Sequence, residues 1–359
     1  MEEAREYKCP ACGAGLVYGA QSGDMLCEYC DSHFTLEQLE EIASAENEAS
    51  GQDEMSWEST EASGGEEGEY SAIICPSCGA EIVADETTAA TECVYCGNPT
   101  VIRKKLTGVF KPDWVIPFKI TKKQAVEALG KLYKGKSLLP DAFTKDNRIE
   151  KVTGVYVPYW LFDCHANGNM AYDATRVSVF SDAKFNYTRT DKYLVTRSGS
   201  ADFKSIPVDA CSKLDNKYTE AIEPYDYSEL TEFSDMYLSG YMADRYDVES
   251  KDCTSRADER VRASLFAEFT QSVQGYSTVT PRNGKVQNTN GKVQYALMPV
   301  WMLNTKYKDK IYTFAMNGQT GRLIGDLPID KGKAWGQFLL WSGIISLGAS
   351  AIALLTMLL

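Results

Sequence analysis

Eight of the eleven cysteines are arranged in four Cys-x-x-Cys pairs, a pattern typical of metal binding. In each set of two pairs, 14 residues separate the pairs, which is enough for a hairpin that returns the chain. Four thiolates brought together in this way form the tetrahedron that structural zinc sites use. The predicted zinc ligands are Cys9, Cys12, Cys27 and Cys30 for a first site, and Cys75, Cys78, Cys93 and Cys96 for a second.

Both sites are predicted to be closed and structural. Because protein fills all four positions, no position stays open for water, and we assign no catalytic residue there. The spacing alone leaves two alternatives open, namely iron in a rubredoxin-like site and redox-active disulfides. His33 is a possible substitute ligand, although four cysteines already suffice. Units this small have little core, so metal binding is expected to supply their folding energy.

The residue that follows each cysteine pair must let the backbone turn tightly. Glycine does so at no steric cost, and aspartate tolerates the left-handed conformation better than most residues. These positions hold Gly13, Asp31, Gly79 and Gly97. We therefore predict left-handed backbone at all four.

The two cysteine sets belong to an internal repeat with a constant offset of 66 residues. Each copy begins Cys-Pro-x-Cys-Gly-Ala and ends Cys-x-Tyr-Cys. Such self-similarity predicts two copies of one small unit, a zinc ribbon, over residues 7–34 and 73–100.

The charge distribution speaks against nucleic-acid binding by these ribbons. Residues 9–102 contain 19 acidic side chains and no Lys or Arg, whereas residues 103–359 carry a net charge of +7. Affinity for nucleic acid comes largely from Lys and Arg that displace counterions from phosphates. A protein partner is therefore the better expectation, and the acidic charge favours a basic one.

Other candidates for chemistry are weak. Cys164 and His165 are neighbours on an expected strand and so point to opposite faces. Cys211 and Cys253 lack a partner motif and are expected to be buried thiols. The sequence carries no phosphate-binding loop and no common catalytic motif. We predict a protein that is not an enzyme. Whether the aromatic-rich body over residues 108–334 binds a ligand is left open.

The predicted architecture is α+β. A short helix is expected over 35–45, with Thr35 as N-cap and Gln38 completing a capping box. Further helices are expected over 121–134 and 256–273, and Asn283-Gly284 and Asn290-Gly291 are read as hairpin turns. The segment Tyr241 to Asp247 is rich in polar aromatics and reads as a packed core corner or a recognition surface. The predicted domains are a first zinc ribbon (7–34), a short helix and acidic disordered linker (35–70), a second ribbon (73–100), a mixed α+β body (108–334) and a C-terminal anchor (336–359).

The anchor is predicted to be one transmembrane helix. Residues 338–359 are uncharged and mostly apolar, and a helix of that length spans roughly the 30 Å hydrocarbon core. Lys331 and Lys333 flank its beginning and favour the cytoplasmic side. No signal peptide is expected, and reduced thiols suit the cytosol. The expected location is the cell membrane, single-pass, with the bulk of the chain in the cytoplasm.

The repeated Cys-Pro-x-Cys-Gly pattern resembles the zinc ribbon of transcription factor IIB. The whole layout is similar to a bacterial, Firmicutes-type family of TFIIB-type zinc ribbon-containing membrane proteins. Supporting segments are the two ribbons, Gly154 to Asp163, Tyr237 to Val248 and Thr313 to Pro328 with the helix after it. Some relatives are similar to membrane partners of phage-shock and flotillin-like proteins in envelope stress. The resemblance implies that this chain recruits such proteins to the membrane.

These observations lead to one functional hypothesis and one alternative. The hypothesis is a membrane-anchored, zinc-binding adaptor that recruits protein partners at the cytoplasmic face. The alternative is a membrane-bound nucleic-acid or transcription-associated zinc-ribbon protein. The charge of the ribbons, which contain no Lys or Arg apart from Lys8 at the edge of the first, separates the two.

Overall fold

The structure is a computed structural model that describes residues 7–19, 23–58, 68–84, 93–96, 98, 102–109, 111–144, 151–308 and 310–358. The chain divides into two compact units. Unit 1 comprises Met1–Ser59, Phe162–Ile206 and Thr254–Val293, and unit 2 comprises Thr60–Leu161, Pro207–Cys253 and Gln294–Leu359. Helices and sheets both contribute, so the predicted α+β class of the body is confirmed.

The described residues include four α-helices of 12 or more residues and two short ones. In chain order they are α1 Leu36–Ala49, α2 Lys122–Tyr133, α3 Asp141–Thr144, α4 Asn216–Ala221, α5 Ser250–Ser272 and α6 Lys331–Leu358. Two short 3-10 helices, Tyr227–Glu229 and Asp235–Leu238, lie between α4 and α5.

The strands range from two to thirty residues. In chain order they are β1 Val17–Tyr18, β2 Met25–Leu26, β3 His33–Phe34, β4 Gly68–Ile74, β5 Glu81–Ala84, β6 Ile102–Val109, β7 Trp114–Val115, β8 Thr153–Ser181, β9 Asn186–Asp209, β10 Thr231–Glu232, β11 Met242–Asp244, β12 Thr278–Tyr307, β13 Lys310–Asn317 and β14 Leu323–Gly325. Strands β1, β2 and β3 form a small antiparallel sheet in unit 1. The large sheet has the order β10-β7-β12-β8-β11-β5-β4-β6, with β13 and β14 continuing from β12 and β9 paired with β8.

The large sheet incorporates the second cysteine repeat. Strands β4 and β5 of that repeat pair with each other, and β5 then pairs antiparallel with β11 through Ile82 and Asp244. Strand β11 runs parallel to β8 on its other side. The core of unit 2 therefore contains repeat residues, among them Cys75, Cys93 and Tyr95, each at most 6% exposed.

Local signals predicted the helix starts well. Thr35 accepts a hydrogen bond from the Gln38 N–H while the Gln38 side chain accepts one from the Thr35 N–H, so the predicted capping box is confirmed. Thr121 and Gln124 form the same reciprocal pair at the start of α2. These caps satisfy N–H groups that would otherwise lack a partner in the first turn.

The prediction of two Asn-Gly hairpin turns was wrong. Asn283-Gly284 and Asn290-Gly291 both lie inside the continuous strand β12, although Asn290 does adopt a left-handed φ of 55°. The glycines serve close packing instead. A Cβ on Gly284 would lie 2.7 Å from the Phe266 ring, and one on Gly291 would lie 2.3 Å from the Ser56 carbonyl oxygen.

Part of the acidic segment after α1 contacts β12 within unit 1. Helix α1 continues to Ala49, and residues Glu54 and Glu58 form parallel bridges to Gln287 and Lys292 of β12. Residues 59–67 lie outside the described part of the chain, so the structure places the predicted linker up to residue 58 and its last three residues, 68–70, which belong to β4.

The C-terminal segment requires a correction. It is helical as α6, and its large side chains such as Ile345 and Leu347 are exposed, at 67% and 73%. Among the residues that the structure describes, however, no helix has the length and apolar character needed to cross a membrane. This finding overturns the predicted transmembrane helix over 336–359 and the single-pass membrane location derived from it. The prediction equated the absence of charge with apolar character, although Gln337 and the interspersed glycines and serines reduce the latter.

Candidate metal centres

The first candidate metal centre lies in unit 1, beside the β1-β2-β3 sheet. Its four sulfur atoms all lie within 4.8 Å of one another. Cys9 Sγ is 3.6 Å from Cys30 Sγ, and Cys12 Sγ is 3.4 Å from Cys27 Sγ. A zinc tetrahedron with metal–sulfur bonds of about 2.3 Å places its sulfurs about 3.8 Å apart. The thiols are free, and a disulfide would require a far shorter distance of about 2 Å.

The second candidate centre lies in unit 2 and repeats this geometry. Its sulfur atoms also lie within 4.8 Å of one another. Cys75 Sγ is 3.6 Å from Cys96 Sγ, and Cys78 Sγ is 3.7 Å from Cys93 Sγ. The structure thus brings together all eight predicted ligands in the two predicted sets, and each set can hold one metal ion.

The backbone turns that present the thiols follow one pattern. In the first turn the Gly13 N–H donates to the Cys9 carbonyl, and in the third the Gly79 N–H donates to the Cys75 carbonyl. The residues that follow the pairs have positive φ angles of 78° at Gly13, 59° at Asp31 and 72° at Gly79, as predicted. Gly97 lies outside the described residues.

Hydrogen bonds lower the pKa of one thiol in each centre, Cys30 in the first and Cys75 in the second, whereas burial raises the pKa of Cys9, Cys78 and Cys93. Burial opposes ionisation of Cys75, but hydrogen bonds from the N–H groups of Cys78 and Ser77, together with those from the Cys96 and Cys78 thiols, lower the pKa of Cys75 to about 7. In the first centre Ser32 Oγ lies 3.2 Å from Cys30 Sγ, and this hydrogen bond lowers the pKa of Cys30 to about 6. Donors directed at sulfur also stabilise the negative charge that four thiolates keep around a divalent ion.

The second centre is fixed to the core of unit 2 by a buried polar cluster. Tyr95 stands between two of its ligands, and its hydroxyl donates a hydrogen bond of 2.6 Å to Asp244 Oδ2. The Cys211 thiol donates to the same oxygen at 2.8 Å. Burial raises the pKa of Asp244 to about 6. The segment Tyr241 to Asp247, read from sequence as either core corner or recognition surface, thus contributes to the core through Asp244, which is 4% exposed.

Asn304 of β12 forms a second link to this centre. Its Nδ2 donates to the Val94 carbonyl at 2.6 Å and to the Tyr95 carbonyl at 2.7 Å. Both carbonyls belong to the turn between Cys93 and Cys96. One amide therefore holds the turn that presents two ligands, which is the role of an outer-shell group at a metal site.

Sequence reasoning missed Asp244 and Asn304. Both are far from the cysteines in sequence, and their contacts follow from strand pairing that local patterns do not reveal. The available signal for Asp244 was its position beside apolar residues in a segment that forms a buried strand. A carboxylate in such a place requires a partner.

The other candidate residues from the sequence do not belong to the two sulfur clusters. Cys211 and Cys253 are buried at 1% and 2% exposure, as predicted. Cys164 is buried, whereas the neighbouring His165 is directed to Asp202, with Nδ1 and Oδ1 2.7 Å apart. His33 is exposed and does not belong to either sulfur cluster in the described part of the chain.

We expect Tyr95→Phe to lower the free energy of unfolding of unit 2 by about 1–3 kcal/mol, because the variant leaves a buried carboxyl group short of a donor. Chemical denaturation measures the effect. The matched control is Tyr29→Phe, which removes the same hydroxyl from a side chain that is 83% exposed and is expected to change stability by less than about 0.5 kcal/mol. Equal effects of the two substitutions would contradict the role given to the Tyr95–Asp244 hydrogen bond.

Comparison with known proteins gives a relative but no described activity. No protein-family model matches the chain, and no solved structure matches it. The chain is 32% identical over 333 residues to the "Uncharacterized protein YdjG" of Bacillus subtilis (strain 168), an alignment that covers 92% of each protein. An identity of this level over nearly the full length of both chains means that the protein belongs to the same family as B. subtilis YdjG.

Proposed function

We propose that the chain is a zinc-dependent adaptor that binds protein partners, and that its two metal centres are structural. The proposal for zinc follows from the donor set, since four thiolates in a closed tetrahedron are the typical structural zinc site. Iron in a rubredoxin-like site is the competing assignment, and elemental analysis distinguishes the two. Zinc bound there would supply folding energy, and the protein's own residues would supply the binding surface.

The surface of the first ribbon carries this proposal. Its thiols converge on one another while large apolar side chains face the solvent. Tyr29 is 83% exposed, Tyr18 63% and Val17 51%, and Leu36 at the start of the following helix α1 is also 51% exposed. Tyrosine is enriched in protein interfaces because it buries a large rigid ring and retains a polar end. A ribbon with exposed aromatic groups, in which Lys8 is the only Lys or Arg of the sequence 7–34, suits a protein partner better than a phosphate backbone.

The finer assignment is part of the same proposal. The two ribbon motifs support a relation to TFIIB-type zinc ribbon-containing proteins. From that resemblance we take phage-shock or flotillin-like proteins as the first partners to test. The alternative, a nucleic-acid or transcription-associated role, predicts the opposite behaviour in the following experiment.

A photo-reactive amino acid at Tyr29 in the full chain should form discrete adducts with protein in living cells. The matched control is the same group at Met236, which is similarly exposed at 71% but lies in unit 2. Adducts that are specific to position 29 and resist nuclease support the adaptor. Adducts that nuclease removes, or equal labelling from both positions, would overturn it.

We also expect the full chain to show no salt-sensitive affinity for DNA or RNA near physiological salt. Residues 9–102 hold 19 acidic groups and no Lys or Arg, and each thiolate site with a divalent ion adds about two negative charges. Fluorescence anisotropy with labelled single- and double-stranded probes measures this. Binding that weakens steeply between 50 and 200 mM salt, as phosphate contacts require, would favour the nucleic-acid alternative.

A further inference from the structure

An acidic stretch of unit 1 is bound to an edge of β12 in the manner of a peptide ligand. We call residues 53–58 the docked segment. The Glu54 N–H donates to the Val286 carbonyl at 2.9 Å, the Asn288 N–H donates to the Glu54 carbonyl at 3.2 Å, and the Glu58 N–H donates to the Gly291 carbonyl at 2.9 Å. The segment therefore runs parallel to β12 and forms bridges with it at Glu54 and Glu58, in the direction in which an added strand can bind to a sheet edge.

The side chains of the docked segment are recognised individually. The Asp53 carboxylate accepts hydrogen bonds from Arg262 Nη1 and from the Val286 N–H. The Glu54 carboxylate accepts one from Lys285 Nζ and one from Gln287 Nε2, each at 2.7 Å. Two adjacent acidic side chains thus meet two cations on neighbouring elements, α5 and β12.

An indole completes the recognition. Trp57 Nε1 donates to Asp258 Oδ1 at 2.7 Å, and the Trp57 ring packs edge-on against Phe162 with centroids 5.0 Å apart. The backbone approaches so closely that a Cβ on Gly291 would lie 2.3 Å from the Ser56 carbonyl oxygen. Together these contacts define an acceptor edge that consists of residues 285–291 of β12 with Arg262, Asp258 and Phe162.

The docked segment uses this edge only in part. It forms isolated bridges and no continuous strand. Its ion pairs are partly solvent-accessible, since the side chains of Arg262 and Asp53 are 38% and 29% exposed and those of Lys285 and Glu54 are 22% and 67% exposed. Exposed pairs of this kind contribute little net stability, so a segment with better strand geometry and the same charges can compete for the edge.

We propose that the acceptor edge is a binding site for an extended acidic segment of a partner protein, with two adjacent carboxylates and an indole three to four residues later. Residues 53–58 occupy this site within the chain, and the partner binds by displacing them. The inference rests on the proposed function in that the partner is a protein. It assigns a second surface, separate from the ribbon, and a mechanism of control.

The test uses the full chain and a fluorescent peptide with the sequence of residues 50–59. The triple variant Asp53→Ala, Glu54→Ala, Trp57→Ala removes the internal competitor, and anisotropy measures peptide binding. In the unmodified chain the peptide can bind only to the fraction of molecules in which the docked segment has left the site, and this lowers the apparent affinity for the peptide. The variant should therefore bind the peptide at least about tenfold more tightly than the unmodified chain. Circular dichroism and metal content verify that the variant is folded. If it is not, the milder Asp53→Asn, Glu54→Gln chain is titrated with the same criterion.

Two matched variants in the same background establish where the peptide binds. Arg262→Glu reverses the charge that meets Asp53, and Gly291→Ala blocks the close backbone approach while it keeps every charge. Each should lower peptide affinity at least about tenfold. Equal binding by the unmodified and vacated chains, or binding that neither substitution weakens, would overturn the proposal. A dimer of the unmodified chain that dissociates in the triple variant would assign the edge to a second copy and equally overturn a separate partner. Ribbon adducts at Tyr29 do not depend on this edge, so the two proposals fail independently.

Discussion

Replacing Cys93 by Ser is expected to remove the metal from the second centre and to lower the free energy of unfolding of unit 2 by several kcal/mol. Cys93 is only 2% exposed and lies in the core of unit 2 with Cys75 and Tyr95. Loss of one ligand leaves the other three thiols of the centre without a shared metal ion. These thiols lie beside β5, which pairs with β11 in the large sheet. Removal of a structural metal removes folding energy directly. Guanidinium unfolding followed by tryptophan fluorescence, together with metal content, measures both effects.

The matched substitution is Cys12→Ser in the first centre. Cys12 is exposed, and the strands of its ribbon in the described part of the chain are the short β1, β2 and β3, which form a sheet of their own. This variant should lose one ion, keep the second centre intact and leave the unfolding of unit 2 unchanged. Equal losses of stability in unit 2 from the two variants would contradict the claim that only the second centre is part of that core.

Replacing Asn304 by Ala is expected to weaken metal binding at the second centre by about tenfold to a hundredfold. Asn304 Nδ2 donates to the carbonyls of Val94 and Tyr95, within the turn that presents Cys93 and Cys96. Outer-shell groups that orient ligands have effects of about this size. Competition with a chelator of known affinity measures the change, and the first centre of the same molecule is the internal reference.

The control for a general loss of packing is Asn317→Ala. Asn317 is fully buried in unit 2, and its Nδ2 donates to the carbonyls of Ile222 and Pro224, away from the cysteines. This variant should lower stability but leave the metal affinity of the folded protein unchanged. If Asn317→Ala releases metal as readily as Asn304→Ala, the amide of Asn304 has no specific role at the centre.

The sequence predicted what depends on local spacing. The four thiols of a centre come from two tight turns, so the Cys-x-x-Cys pairs and the residues after them identify the ligands and the left-handed backbone at Gly13, Asp31 and Gly79. Capping boxes are equally local, which explains why Thr35 and Gln38 were identified. None of these features requires knowledge of which strands pair.

The features that sequence reasoning missed depend on distant contacts. Asp244 and Asn304 support the second centre only because β11 lies beside β5 and because β12 belongs to the same sheet. Gly284 and Gly291 were mistaken for turn residues because close approach by Phe266 and by Ser56 calls for glycine as strongly as a turn does. The prediction of a transmembrane helix over residues 336–359 was wrong for a different reason. It took an uncharged helix to be sufficiently apolar to cross a membrane.

Elemental analysis of the purified full chain, by a method that measures zinc and iron together, tests the central claim most directly. The eight clustered thiols predict two zinc ions per chain, falling to one in Cys12→Ser and to one in Cys93→Ser. A chain that folds without stoichiometric metal, or that holds iron in place of zinc, would contradict the account of two closed structural zinc sites.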